Sequence, residues 1–349
     1  MTDLSQFDPN RVGNPNNNIF GLPFSEEDAR LIVVPVPWEV TVSRNAGTAR
    51  APEHIFRSSL LVELFDPEFK DCWRQGYHML QPDKKILLKS DYLRKEAELY
   101  INYITDGEKI EDNKFMCKSL REINEGSLFL NSWVQEQCSS FLANDKLVGI
   151  LGGDLSTPLG YYKALADKYG NFGILQIDAH CGLRKAYEGF KYSHVSLMYN
   201  AMEEIGQITK LVQLGVRDFA EEEWDYITSC KGRIVTFLDV TIKNRVYEGD
   251  NWKQITHDIV AQLPEQVVFS VDIDGLDPKL CPHTGTSVAG GYSIEQMHYL
   301  FKKVLESGRK LIGFNLNEVG ISHDDWDEKV GARVLFDLCN CLMAANTKK

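Results

Sequence analysis

Seven short, largely apolar runs without a two-residue alternation recur along this chain: Leu31–Pro35, Leu147–Leu151, Phe172–Ile177, Lys210–Gly215, Ile234–Leu238, Val267–Val271 and Lys310–Leu316. A strand that shows one face to water alternates, so these runs read as strands covered on both faces. Between them lie stretches of helical periodicity: Pro52–Leu61, Met116–Leu142, Pro158–Tyr169, Ala220–Cys230, Trp252–Leu263, Ile294–Glu306 and Trp326–Ala344. Strand and helix in alternation imply right-handed crossovers and a parallel sheet, an α/β fold. No Pro/Ser/Gly-rich linker and no internal repeat interrupts the pattern, so residues 1–349 are expected to form a single domain. It would carry a polar N-terminal extension over 1–25 and a charged, helix-prone insertion over about 80–113. In open parallel sheets, ligands bind beyond the carboxyl ends of the strands, so the residues just after each run are the ones to inspect.

Composition removes several function classes. Hydrophobic residues make up 43% and charged residues 25%, as in a protein with an extensive core. The net charge is −12, and no Lys/Arg cluster supplies the basic face that nucleic-acid binding needs. No apolar span of about 20 residues is present, and Met1–Asn18 lacks the apolar stretch of a secretory leader. The eight cysteines are scattered without a CxxC. These features lead to the expectation of a cytoplasmic protein with reduced thiols and no membrane partner.

Chemistry appears where the sheet argument places it. Asp178-Ala179-His180 follows the third run and Asp272-Ile273-Asp274 follows the sixth. Residues at i and i+2 of an extended segment project to one side. Three aspartates brought together would repel one another unless a cation neutralised them. Hard oxygen ligands with one imidazole suit Mn²⁺, with Zn²⁺, Fe²⁺ and Ni²⁺ as alternatives. Either triplet alone is commonly a solvated turn; both at the ends of buried strands form a far more specific signal.

The surrounding residues carry a family resemblance. Gly152-Gly153-Asp154-Leu155-Ser156 is similar to the GGDH[ST] signature of the arginase/agmatinase/formiminoglutamase (ureohydrolase) family. Asp178–Arg184 resembles its DAHxD signature. Ser270–Pro278, with Pro282 and Thr284–Thr286, resembles its SxDxDxxDPxxxPxTGT signature. The resemblance runs in order from about Leu31 to Asn340. It implies a three-layer α-β-α fold with an eight-stranded, mostly parallel sheet, and assembly as a trimer or hexamer. It also implies a pair of Mn²⁺ ions sharing a hydroxide that attacks a guanidino or formimino carbon. Glu318 stands where the family places a substrate-binding carboxylate. His194 stands where it places a loop histidine that shuttles protons or contacts substrate.

Residue by residue, the resemblance is incomplete. The positions for one ion are Leu155, Asp178, Gly182 and Asp272, and two of these offer no donor. The positions for the other ion are Asp178, His180, Asp272 and Asp274, all retained. Both ligands private to one ion are lost and none of its neighbour's. The expectation is a hydrolase of linear C–N bonds in small guanidino or formimino compounds, with one metal site intact and the second empty. Its catalytic residues would be His194, Asp178 and Asp272. Two other readings compete: a non-catalytic relative serving as scaffold, sensor or partner subunit, and a mononuclear amidohydrolase. Asp154 is expected to bond the loop backbone. Arg184 is expected either in the cleft or at its rim. Cys181 and Cys281 flank the site without an evident base.

Overall fold

A computed structural model describes residues 2–42 and 45–347; Met1 and the last two residues of the expected domain lie outside them. In chain order the elements are β1 (Leu31–Val36), α1 (Ala51–Ser59), β2 (Tyr77–Met79), α2 (Lys84–Thr105), α3 (Lys114–Ala143), β3 (Leu147–Gly152), α4 (Leu159–Tyr169), β4 (Phe172–Ile177), α5 (Leu197–Glu204), β5 (Ile208–Leu214), α6 (Glu221–Ser229), β6 (Ile234–Phe237), α7 (Asp239–Tyr247), α8 (Trp252–Ala261), β7 (Gln266–Asp272), α9 (Ile294–Glu306), β8 (Lys310–Asn317) and α10 (Trp326–Asn346).

The eight strands form one sheet in the order β2-β1-β3-β8-β7-β4-β5-β6, and every pairing is parallel. The seven expected strands are present. The eighth, β2, has three residues at the sheet edge with His78 half-exposed, too short for an apolar run to mark it. Two helices also escaped the sequence. In α5 and α7 the apolar stripe is only two turns long, below the length at which periodicity is distinct.

The helices pack as two groups, one on each side of the sheet. Helices α2, α3, α4 and α5 contact one another in succession, as do α8, α9, α10 and α1. Burial on both faces is what an all-parallel sheet requires. β1, β3 and β4 are buried at every residue, matching their lack of alternation. The charged segment 80–113 contains α2, which packs on α3 and is capped by the Asp83 carboxylate at the Lys85 and Ile86 amides. In the N-terminal stretch Ile19, Phe20, Leu22 and Phe24 are buried, and the Phe20 ring lies 5.0 Å from that of Phe336.

The chain lays β1 to β3 on one side, β3 returning inside β1, and β4 to β6 outward on the other, then brings β7 and β8 into the gap. The central strands β3, β8, β7 and β4 therefore end side by side at the point where the winding direction reverses. Ligand sites form at such a point.

A candidate metal centre at the carboxyl edge of the sheet

Strand register brings the acidic residues together. Ile177 pairs with Val271, so Asp178 and Asp272 stand next to each other at the ends of β4 and β7. Asp272 pairs in turn with Asn317 on β8, and Glu318 follows it. Leu155 comes three residues beyond the end of β3. Asp178, Asp272, Glu318 and Leu155 line a cleft of 220 Å³ together with His180, Gly182, Asp274 and His194.

Among the described residues, the ligand-type atoms that converge belong to Asp178, His180 and Asp274, and lie within 4.8 Å of one another. His180 Nδ1 is 2.9 Å from Asp274 Oδ2 and 3.6 Å from Asp178 Oδ1. Backbone amides hold the carboxylates in place. The His180 amide donates to Asp178 Oδ1 at 2.6 Å, and the Ala179 amide donates to Asp274 Oδ1 at 2.9 Å. Asp272 is placed differently from the expectation of an extended pair. It ends β7, whereas Asp274 lies in a 3₁₀ turn, Ile273–Gly275, whose amide donates to Asp272 Oδ1 at 3.0 Å. Asp272 thus lines the same cleft without joining the three converging groups.

The electrostatics are those of carboxylates crowded in a buried place. Burial and the charges of Asp274, Asp178 and Glu318 push Asp272 well above the usual carboxylate range. Burial and Asp274 raise Asp178 to about 6 despite its bonds to His180. Burial opposes a charged His180, but hydrogen bonds to Asp178 and Asp274 outweigh it and push the imidazole up to about 11. The same contacts hold Asp274 low against its burial. A set of hard oxygens and one imidazole that binds positive charge this strongly fits a divalent cation.

The other expected residues are also at the cleft. Glu318 is 7% exposed, and burial with the nearby Asp154 raises its carboxyl well above the ordinary range. Its backbone is left-handed, φ 61°. That conformation is held by its amide on the Gly153 carbonyl, 3.0 Å, and by the Thr284 hydroxyl on its own carbonyl, 2.6 Å. Strain of this kind persists where the surroundings over-determine it. His194 is half-buried, 3.3 Å from the Thr41 hydroxyl through Nδ1, and edge-on to Tyr187. Burial, with the charges of His180 and Arg94, lowers its pKa to about 4, so it is neutral.

Leu155 is 4% exposed and its side chain faces the cleft. Gly182 adopts φ +64° and its carbonyl accepts the Met198 and Tyr199 amides at the start of α5, at 2.9 and 3.1 Å. Neither position has a side-chain donor. Asp154 accepts the Ser156 amide at 2.9 Å and hydroxyl at 2.5 Å, the loop role expected of it. Arg184 lines the cleft while pairing outward with Glu222 at 3.3 Å. The Cys181 and Cys281 thiols are pushed up by burial, and Cys281 donates to Asp327 at 2.8 Å.

Sequence reading overlooked Gln176 and Arg217. Gln176 Nε2 donates to Asp178 Oδ2 at 2.8 Å, and Arg217 bonds the Asp274 carbonyl at 2.6 Å. The signal for Gln176 was present: a polar side chain inside a run otherwise apolar.

Comparison with known proteins agrees with this architecture. Residues 29–341 match the arginase family profile. Over 311 residues the chain is 25% identical to the N(1)-aminopropylagmatine ureohydrolase of Thermus thermophilus, covering 89% of each. It is 24% identical to the agmatinase of Bacillus cereus over 304 residues, 87% of this chain and 88% of the relative. The solved proclavaminate amidino hydrolase of Streptomyces clavuligerus has the same fold, with a TM-score of 0.71 at 18% identity, covering 96% of this chain and 100% of that one. With the strand order, the cleft and a match from before β1 to within α10, the chain belongs to the arginase family.

Proposed function

We propose that the chain is a metal-dependent hydrolase of linear amidines, cleaving a C–N bond of a small guanidino or formimino compound at a site built for one divalent ion. The observation that carries this reading is the convergence of Asp178, His180 and Asp274 beside Leu155 and Gly182, two cleft positions without a side-chain donor. Asp178, His180, Asp272 and Asp274 would hold the ion, with Mn²⁺ first and Zn²⁺, Fe²⁺ or Ni²⁺ compatible with the same donors. Bound there, the ion would lower the pKa of a coordinated water and polarise the amidine carbon.

The remaining steps belong to the chain itself. Glu318 pairs with the cationic amidine. Burial and the nearby carboxylates disfavour its charge, and a bound cation restores it. His194, neutral and held by Thr41, accepts a proton from the attacking water and returns it to the leaving nitrogen. Asp178 and Asp272 orient the attacking water. The related proteins named above as ureohydrolase and agmatinase support a guanidino substrate. The same reading has one domain over residues 1–349, a cytoplasmic homo-oligomer (trimer or hexamer), and no nucleic-acid or membrane partner. Among the described residues no helix is long and apolar enough to cross a membrane.

Elemental analysis of the purified protein, beside a screen for urea or formamide release across guanidino and formimino compounds, tests this. One ion per chain with product release is the expected result. Two ions would indicate a conventional dinuclear enzyme; no ion and no product would indicate a non-catalytic relative.

A further inference from the structure

One rung below the cleft, the sheet carries a row of polar side chains. Thr236, Gln213, Gln176, Ser270 and Asn315 are register partners across β6, β5, β4, β7 and β8. All but Thr236 are fully buried. Side chains two residues apart on a strand share a face, so Gln176 underlies Asp178 and Ser270 underlies Asp272. Amides buried this deeply are costly unless paired, and here the pairing runs in one direction. The Thr236 hydroxyl donates to Gln213 Oε1 at 2.7 Å. Gln213 Nε2 donates to Gln176 Oε1 at 2.8 Å and to the Cys181 carbonyl at 2.8 Å. Gln176 Nε2 then donates to Asp178 Oδ2 at 2.8 Å.

The direction is imposed at two ends. A carboxylate and a carbonyl only accept, so turning either amide over would set oxygen against oxygen. Asp178 is thereby held by different donors on its two oxygens. Oδ1 accepts the His180 amide and faces the imidazole, 3.6 Å from Nδ1. Oδ2, the other oxygen, is held by Gln176.

Resting on the single-ion reading above, we infer that Gln176 is a positioning residue for the metal centre. Its amide tethers the Asp178 oxygen turned away from His180, aims the other oxygen at the ion, and takes the place of a second cation in restraining this aspartate. Groups that hold a ligand from behind commonly change metal affinity by about 10- to 100-fold when removed.

The test is Mn²⁺ binding to the full chain by calorimetry and elemental analysis, for wild type, Gln176→Met and Gln213→Met. Methionine keeps the length and loses the donor. Gln213→Met leaves Gln176 its bond to Asp178 but removes the donor that holds its Oε1 in place. Wild type is expected to bind one ion. Gln176→Met should weaken that ion by about 10- to 100-fold, and Gln213→Met by a smaller but measurable factor. A purely structural role would lower the melting temperature in EDTA and leave the dissociation constant alone. If wild type binds one ion and both variants match its Kd within about twofold, well short of the effect expected of such a residue, the inference about Gln176 is overturned by itself. If wild type binds none or two, the single-ion reading falls and takes this one with it. Should Gln176→Met fail to fold, Gln213→Met decides, weaker binding supporting the inference and unchanged binding overturning it.

Discussion

Glu318 Oε1 accepts the backbone N–H of Leu155 at 2.8 Å. The carboxylate proposed to receive substrate is thus tied to the main chain of the residue whose side chain withholds a metal donor. Because the bond is to the backbone, the position of Glu318 does not depend on which side chain stands at 155.

That independence makes a rescue experiment informative. Leu155→His with Gly182→Asp should raise Mn²⁺ content from one to two ions per chain, and either change alone should leave it at one. The gain is non-additive because both private donors are needed. At Gly182 a Cβ would meet Met198 Cγ at 3.5 Å, an ordinary contact, but φ is +64°. Aspartate adopts that region more readily than most residues, at a cost of about 1–2 kcal/mol. A buried histidine without its ion costs more. The double variant should therefore melt lower than wild type in EDTA and recover with Mn²⁺. A double variant still holding a single ion by elemental analysis would show that the missing donors are not the whole cause.

Metal should stabilise the native chain through His180. With free Mn²⁺ at about 100 times its Kd, stability should rise by about 2.7 kcal/mol. His180→Ala removes the imidazole at 2.9 Å from Asp274 and should abolish that gain. Thermal melts with and without Mn²⁺ measure it. An equal gain in the variant would place the ion elsewhere.

Arg217 is predicted to be a major anchor of the site loops. Its guanidinium donates to the carbonyls of Gly215 at 3.0 Å, Asp274 at 2.6 Å and Val288 at 2.9 Å. Arg217→Ala should lose about 2–4 kcal/mol in urea unfolding, since several buried carbonyls lose a charged donor. Arg217→Lys should recover little, because a point charge cannot span the fork. A lysine variant as stable as wild type would contradict this account.

His298 should make stability fall at alkaline pH. Its ring bridges Asp337 and Glu68, 2.8 Å on each side. The bond to Asp337 and then the bond to Glu68 raise its pKa from 6.5 to about 9 against its burial. The folded value exceeds the unfolded one, so the contribution is complete below pH 6.5 and is lost as pH rises through 9. Denaturant midpoints should decline across that window. His298→Gln should flatten the decline and cost about 2 kcal/mol at pH 6. A variant with the same slope as wild type would assign the decline to another group.

Much of this was legible because it is local. The absence of alternation in Ile174 or Val268 and their neighbours follows from burial on both faces, and it marked seven strands correctly. The three-residue β2 was not legible, since its place depends on pairing Leu31–Val33 with Tyr77–Met79 across more than 40 residues. Asp178, His180 and Asp274 could be picked out by residue type and spacing. The separate placement of Asp272 could not, because a 3₁₀ turn and an extended segment share the same DxD spelling.

By itself the sequence determined which elements form and which donors exist: covalent identity alone denies Leu155 and Gly182 a metal-binding side chain. Tertiary structure decided how the donors are held. Gln176 and Gln213 are 37 residues apart and meet only because β4 and β5 pair in one register, and Arg217 reaches the Asp274 carbonyl across 57 residues. Hydrogen bonds of this kind depend on distances set by sheet register and loop closure, and no local propensity encodes them.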